Sequence, residues 1–416
     1  MVVKLPGDKT KMRFCLVTTF YPPYHPGGCG LHVYHLANLL AADGHSVDVV
    51  CSAGAHRLKL SSPRPGSYPA PPGVRVIRVP GGKFEALATY LAGRGLSSHR
   101  RLRRILGESY DVVHFHNISL LGGIKLLREG SGIKLFTQHT YWLLCPLHYL
   151  WKFDREPCAD KNCLACLLRA GKPPVPWRWF EGWQADLAGI DSLIMPCRDM
   201  IERHRREGIT GRMDHLPYFV DAVKAAPRPG GETGMGERPF FLLVTRLESY
   251  KGPRLALEAF LSSGAASSAE LIIVGTGSLA AALRERAAGH PRVRFLDYVA
   301  PEDLDWYYAH ARALLAPAVW PEMGNQTVLS SLSCGTPVIA SNRGCLPELV
   351  GENQAGLLVE GEQDMAAALE TMMAGGEAYE AFQACARRAW REHYSPELFR
   401  ERYLGILTEL GIAAGA

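Results

Sequence analysis

One pattern constrains the fold most: a short apolar run of strand length, a glycine-bearing loop, a helix, and another strand. Met12–Thr19 (MRFCLVTT) is the first such run, and Tyr21–Gly30 is the loop, carrying Gly27 and Gly28. Apolar residues then recur at helical spacing from Leu31 to Ala42. Gly44-His45 closes that helix, and Ser46–Cys51 is the next strand. This is how a doubly wound parallel sheet begins. The loop is not GxGxxG, which argues against a nicotinamide-binding fold.

The pattern continues. Val74–Val79, Asp111–Phe115, Lys134–Gln138 and Asp191–Pro196 read as strands, with His116-Asn117 and His139 at the ends of two of them. Such carboxyl ends are where parallel sheets place ligand contacts. Ala222–Pro239, rich in Pro and Gly and without periodicity, reads as a linker. A second α/β unit starts at the strand Phe240–Thr245 and includes Glu270–Val274, followed by Gly275-Thr276-Gly277. The expectation is an α/β protein of two Rossmann-like doubly wound parallel-sheet domains facing a central cleft. The first covers residues 1–222, the linker 223–239 and the second 240–395, and a helix over about 396–416 packs back on the first.

At 416 residues the chain suits two domains. No apolar run approaches the ~20 residues that span a bilayer, and the apolar run at Phe14–Val17 is too short for a signal peptide. A cytoplasmic location follows as the expectation. The net charge of +5 hides an asymmetry: residues 1–225 carry +12 and the remainder −7. A basic first half implies an anionic partner. No nucleic-acid motif is present, so an anionic lipid-linked acceptor, or peripheral contact with the inner face of an anionic membrane, is expected instead. His99–Leu106 (HRRLRRIL) carries both charge and an apolar stripe, and reads as a solvated helix with its apolar side on the core.

Ala316–Val350 (APAVWPEMGNQTVLSSLSCGTPVIASNRGCLPELV) carries the densest chemistry. Glu322 sits in a polar loop with Gly324, Asn325, Gln326 and Thr327. Thr327–Cys334 reads as a short helix and Val338–Ala340 as a buried strand. A loop that opens a helix leaves backbone N–H groups for phosphate or sugar oxygens. Arg246 and Lys251 lie five apart after the first strand of the second unit, and two cations there suit a diphosphate. Gly27-Gly28 lets backbone approach a phosphate, and it equally suits a tight turn. His139 and His116 read as structural histidines or as ligands. Glu322 is either a helix-start carboxylate or a partner for a sugar hydroxyl and for positive charge at an anomeric carbon.

In order, the motifs are strand–GG–helix–GH-x-V, D-V-V-H-x-H, H-T-Y-W-x-x-C-P, R-L-x-x-x-K-G, I-V-G-x-G, the carboxylate loop, G-T-P-V-I-A-S and G-x-x-P-E. Together they resemble the retaining GT-B-fold glycosyltransferase family 4, the glycosyl transferases group 1. The resemblance implies sugar transfer from a nucleotide-diphosphate donor to a glycan, lipid-linked or small-molecule acceptor, with retention and with no cofactor required for catalysis. It implies catalytic roles for Glu322, His139, Arg246 and Lys251. The donor would lie on Gly27, Gly28, Gly275, Tyr298, Val299, Gly324, Asn325, Gln326 and Ser330, and the acceptor on His116 and Asn117. One position departs: the family's second Glu, eight residues after the first, is Ser330 here. Ser331 or water could rebuild that contact. A nucleotide-sugar epimerase or hydrolase, or a non-catalytic nucleotide-sugar binder, on the same fold are the alternatives.

Cys145, Cys158, Cys163 and Cys166 form C-x12-C-x4-C-x2-C. Four thiols with a close CxxC pair suit a tetrahedral structural zinc, and equally suit four reduced cysteines in an irregular loop.

Overall fold

Phe14, Cys15, Leu16 and Val17 are fully buried, because their strand β1 (Arg13–Thr18) lies inside a sheet covered on both faces. The computed structural model describes residues 11–58, 62–179, 182–223 and 238–412. Most of the expected linker (224–237) and the last residues of the expected terminal helix (413–416) lie outside the described residues.

The first half contains β1, β2 (Ser46–Ser52), β3 (Val74–Val79), β4 (Val112–Phe115), β5 (Ile133–Thr137), the short β6 (Trp151–Lys152) and β7 (Glu156–Pro157), β8 (Ser192–Met195) and β9 (Met213–His215). Seven of them form a parallel sheet of order β3-β2-β1-β4-β5-β8-β9, in which Leu16 faces Val49 on one side and His114 on the other. β6 and β7 form a separate antiparallel hairpin. The second half contains β10 (Phe240–Val244), β11 (Glu270–Val274), β12 (Val293–Leu296), β13 (Ala313–Ala316), β14 (Val338–Ser341) and β15 (Gly356–Val359). These form a second parallel sheet of order β12-β11-β10-β13-β14-β15. Both sheets are doubly wound and reverse their order beside the first strand, at β1/β4 and at β10/β13.

The helices are α1 (Gly28–Ala42), α2 (Lys83–Ala92), α3 (His99–Leu106), α4 (Cys163–Arg169), α5 (Arg198–Arg206), α6 (Pro253–Ser262), α7 (Ala280–Arg286), α8 (Pro301–His310), α9 (Gln326–Cys334), α10 (Glu362–Ala374), α11 (Glu377–Ala389) and α12 (Pro396–Glu409). α1 begins three residues before its apolar periodicity does, because Gly28, Cys29 and Gly30 join the helix ahead of Leu31. α3 buries Leu102, Ile105 and Leu106 and leaves its arginines outward. α12 starts at Pro396 after the cap Ser395, whose hydroxyl accepts from Leu398 N–H. It returns to the first sheet: Tyr403 hydroxyl meets His114 Nδ1 at 3.0 Å, and Phe399 packs on Phe219. One apolar cluster runs from the first sheet through Tyr218 and Met323 into the second.

Candidate active site

The two switch points put four loop sets at one cleft: Gly27-Gly28 after β1, His116 after β4, Arg246 and Lys251 after β10, and the Glu322 loop after β13. β10 and β13 are adjacent, with Leu242 paired to Leu314. That adjacency brings Lys251 to Glu322 across 71 positions of sequence. Lys251 Nζ donates to Glu322 Oε1 at 2.6 Å and to Oε2 at 2.9 Å. Trp320 Nε1–H donates to Oε2 at 2.7 Å, and the Lys251 ammonium stands 4.8 Å from the Trp320 ring centroid. Glu322 is 4% exposed. A carboxylate offers about four acceptor sites and an ammonium three donors. With the contacts above, Glu322 keeps about one acceptor site for a ligand hydroxyl and Lys251 about one donor for an anion.

Gly344 holds the Glu322 backbone in place. At φ +60° it lies so close that a Cβ would stand 2.1 Å from the Glu322 carbonyl oxygen, while Cys345 N–H donates to that oxygen at 2.7 Å. A side chain at position 344 would therefore displace the carboxylate loop.

Asn325 is the N-cap of α9. Its Oδ1 accepts from Val328 N–H at 3.3 Å and from Thr327 hydroxyl at 2.6 Å. Its side chain is thus occupied in forming the helix end that faces the cleft. Gln326 reaches across the cleft, and a Cβ on Gly28 would lie 2.4 Å from its Oε1. Gly27 has open space around it. Ser330 is half-buried on α9. Ser331 is fully buried, with its hydroxyl bonded to Thr336 carbonyl, so the expectation that Ser331 could stand in for the missing carboxylate is not met.

The histidines form a buried relay. His116 Nδ1 meets His139 Nε2 at 2.9 Å, and His139 Nδ1 meets Tyr218 hydroxyl at 2.5 Å. Both nitrogens of His139 are therefore engaged within the protein. Burial pushes His139 down to about 3, and burial together with His114, His139 and His32 pushes His116 well below the ordinary histidine range. The relay is neutral at pH 7. Among the described residues His116 Nε2 and Gln138 Nε2 have no hydrogen-bond partner, and they line a cavity of about 10 Å³, roughly the space of one water. Tyr218 links this relay to the carboxylate loop, since a Cβ on Gly324 would stand 2.6 Å from its ring. Asn117 Oδ1 accepts from Ser119 hydroxyl at 2.9 Å.

Arg246 is exposed, with its guanidinium 5.4 Å from the Tyr250 ring centroid. Tyr298 and Val299 follow β12 and are half-buried; the Arg64 guanidinium lies 4.8 Å from the Tyr298 ring, across the cleft. Gly275 lies against Thr245 carbonyl, which a Cβ would approach to 1.9 Å, so backbone packing requires glycine there. Sequence reasoning missed Trp320, Tyr218, Arg64 and Tyr149. Two of these carried a readable signal: Trp320 is two residues before the carboxylate, and Tyr218 closely follows a strand end.

The expected zinc ligand set is corrected. Cys145, Cys158, Cys163 and Cys166 are near enough to act on one another electrostatically, and burial followed by these neighbours pushes Cys158 up to about 11. Among the described residues, however, no group of three or more His, Cys, Asp or Glu side chains could hold a metal ion. Cys163 and Cys166 lie three residues apart on α4, Cys166 buried and Cys163 half-buried.

Residues 26–224 match the sequence profile of Glycosyltransferase Family 4, and residues 238–374 that of Glycosyl transferases group 1. The chain is 28% identical over 435 aligned positions to the D-inositol 3-phosphate glycosyltransferase of Acidothermus cellulolyticus, covering 95% of this chain and 90% of that one. It is 29% identical to the enzyme of the same name from Rhodococcus opacus, over 83% and 78% of the two chains. Among solved structures, sucrose-phosphate synthase from Thermosynechococcus elongatus superposes with a TM-score of 0.69 at 18% identity, covering 96% and 99%. HepE of Anabaena, solved in complex with UDP, gives 0.64 at 16%, covering 96% and 100%.

Proposed function

The chain belongs to the retaining GT-B glycosyltransferases of family 4 and group 1, and we propose that its transfer chemistry runs at Glu322, Lys251 and Arg246. It moves a sugar from a nucleotide-diphosphate donor to an acceptor with retention of configuration. The observation that carries the site assignment is the buried Lys251–Glu322 pair braced by Trp320 beside the N-terminus of α9. On this reading residues 1–222 with α12 form the acceptor-side domain and 240–395 the donor-side domain.

The diphosphate lies on Arg246, on the remaining donor of Lys251 and on the backbone at Gly27-Gly28, with the base by Tyr298-Val299 and Gly275 nearby. The ribose lies near Ser330. The sugar lies against Glu322, with Gly324, Asn325 and Gln326 beneath it, and His139 borders it through its ring face. Glu322, already neutralised by Lys251, keeps its free acceptor site for a sugar hydroxyl and opposes positive charge that develops at the anomeric carbon. Arg246 and Lys251 offset charge on the departing diphosphate, which takes the acceptor proton on the same face. No protein nucleophile and no catalytic metal are needed.

His116 and Asn117 border the acceptor. The names of the curated relatives make a phosphorylated polyol an acceptor to test beside glycan and lipid-linked ones. The basic first half fits an anionic acceptor. Among the described residues no helix is long and apolar enough to cross a membrane. Exposed Phe84, Leu96, Leu168 and Trp179 share that half with the arginines of α3, which supports peripheral contact with anionic lipid. Vesicles containing phosphatidylglycerol should co-sediment the protein, and neutral vesicles should not.

The test of the function is a thermal-shift panel of UDP-, GDP- and ADP-sugars, followed by turnover with candidate acceptors. One donor class should raise the melting temperature, since a ligand at 100 times its Kd stabilises by ~2.7 kcal/mol. Its consumption should depend on acceptor. Consumption without acceptor would favour the hydrolase or epimerase reading, and binding without any consumption the non-catalytic one.

A further inference from the structure

The hairpin β6–β7 belongs to the first half of the chain, yet it grips the cation loop of the second. Tyr149, just before β6, stacks on Tyr250 with ring centroids 4.5 Å apart and 19° between planes, and meets Trp320 edge-on at 5.6 Å. Its phenol acts electrostatically on both Tyr250 and Arg246, and the Arg246 guanidinium stands 5.4 Å from the centroid of the stacked Tyr250 ring. At the hairpin tip Asp154 accepts a hydrogen bond from Ser249 hydroxyl. The segment Ser249–Lys251 is thus held at both ends: Asp154 and Tyr149 hold its first two residues and Glu322 the third.

The hairpin is held in a costly conformation. His148, Leu150, Phe153 and Asp154 all have φ between 52° and 76°, and among the described residues only Gln354 is another non-glycine residue with positive φ. Side chains at such angles clash with their own backbone and persist where the surroundings over-determine them, as they do at ligand clamps.

We propose that Tyr149 is a positioning residue that holds Arg246 at the spacing from Lys251 that a nucleoside diphosphate needs, so that the brace Glu322 gives Lys251 within the second half is completed on the Arg246 side only when the halves meet. Tyr149 reaches both cations through the stacked ring of Tyr250, which stands beside the Arg246 guanidinium and is adjacent in sequence to Lys251. The inference rests on the assignment of Arg246 and Lys251 to the diphosphate. It adds that a residue of the acceptor-side half sets their geometry, so diphosphate binding and cleft closure are coupled through one aromatic stack.

The experiment uses the full chain and calorimetric titration with the nucleoside diphosphate of the donor class chosen by the thermal-shift panel, and with the matching monophosphate. Tyr149→Ala should weaken the diphosphate about tenfold, leave the monophosphate within about twofold, and raise donor KM more than it lowers kcat. Tyr149→Phe keeps the stack and loses the hydroxyl, and should fall between. Asp154→Ala alters an exposed tip and cannot unfold the core; it should weaken the diphosphate about threefold. Unchanged diphosphate affinity in Tyr149→Ala, or equal losses for both nucleotides, would overturn the proposal. Should Tyr149→Ala fail to fold, Tyr149→Phe and Asp154→Ala decide it, and unchanged diphosphate affinity in both would overturn it. A wild-type protein that binds no nucleoside diphosphate would overturn the site assignment itself, and the proposal with it.

Discussion

Replacing Glu322 by Gln separates what the Lys251–Glu322 pair does for the fold from what it does for the reaction. The carboxamide keeps the shape of the side chain, and its oxygen still accepts from Trp320 Nε1–H. It removes the charge that faces Lys251. Breaking a buried pair by neutralising one member costs ~3–5 kcal/mol, because the other charge is left uncompensated. The Lys251 side chain is 16% exposed and Glu322 5%, so the lower end, about 3 kcal/mol, is expected. With a denaturant slope of roughly 3 kcal/mol/M this lowers the urea midpoint by about 1 M. The double variant Lys251→Met/Glu322→Gln removes both charges and should recover most of that loss, since replacing a buried pair by uncharged groups is often near neutral. Activity should not recover. Loss of a preorganised charge at the reacting centre costs ~10²–10³ in turnover, and the double variant should turn over no faster than Glu322→Gln. Urea titrations and acceptor-dependent donor consumption, measured on all four members of the cycle, decide the matter. Wild-type turnover in Glu322→Gln, or turnover that returns with stability in the double variant, would refute the catalytic role and leave the pair a structural brace.

Three further predictions follow from other parts of the molecule. His114 and His139, pushed by burial to about 3, hold fewer protons folded than unfolded between pH 6.5 and 3, so their stabilising contribution is complete above pH 6.5 and is lost as pH falls. By pH 5 each should cost about 2 kcal/mol; a urea midpoint that stays flat from pH 6.5 to 5 would contradict the neutral relay. Ser330→Glu should tighten nucleoside diphosphate binding about tenfold if the ribose lies beside α9, because a carboxylate accepts charge-assisted bonds that a hydroxyl cannot; unchanged affinity by calorimetry would place the ribose elsewhere. Purified protein should carry well under one zinc per chain by elemental analysis, and chelator should leave its melting temperature unchanged; near-stoichiometric zinc would restore the four-cysteine site.

Much of the fold was legible because parallel strands buried on both faces read as continuous apolar runs. MRFCLVTT and PFFLLVT mark the first strand of each sheet, and the loops after them follow from the α/β pattern. The candidate site was legible only in part. Arg246, Lys251 and Glu322 were singled out as separate residues, but the ion pair depends on β10 and β13 being neighbours, which is a property of sheet order rather than of spacing. His116 and His139 stand at strand ends and were readable as candidates. That each occupies the other, with Tyr218 beyond, depends on packing across three elements. The hairpin around Tyr149 gave no signal, since its two strands are two residues each and its φ values run against the preferences of Leu and Phe. The cysteine spacing matched a metal motif, yet among the described residues no group of three or more such side chains is placed to hold a metal ion.

The most direct test of the central claim, that the donor diphosphate lies on the cations after β10, is a calorimetric titration of Arg246→Met. Arg246 is exposed, so its replacement leaves the buried Lys251–Glu322 pair intact. One charge-assisted hydrogen bond is worth ~1.5–3 kcal/mol, so the Kd for the nucleoside diphosphate should rise at least about tenfold. A Kd equal to that of the wild type would contradict the account.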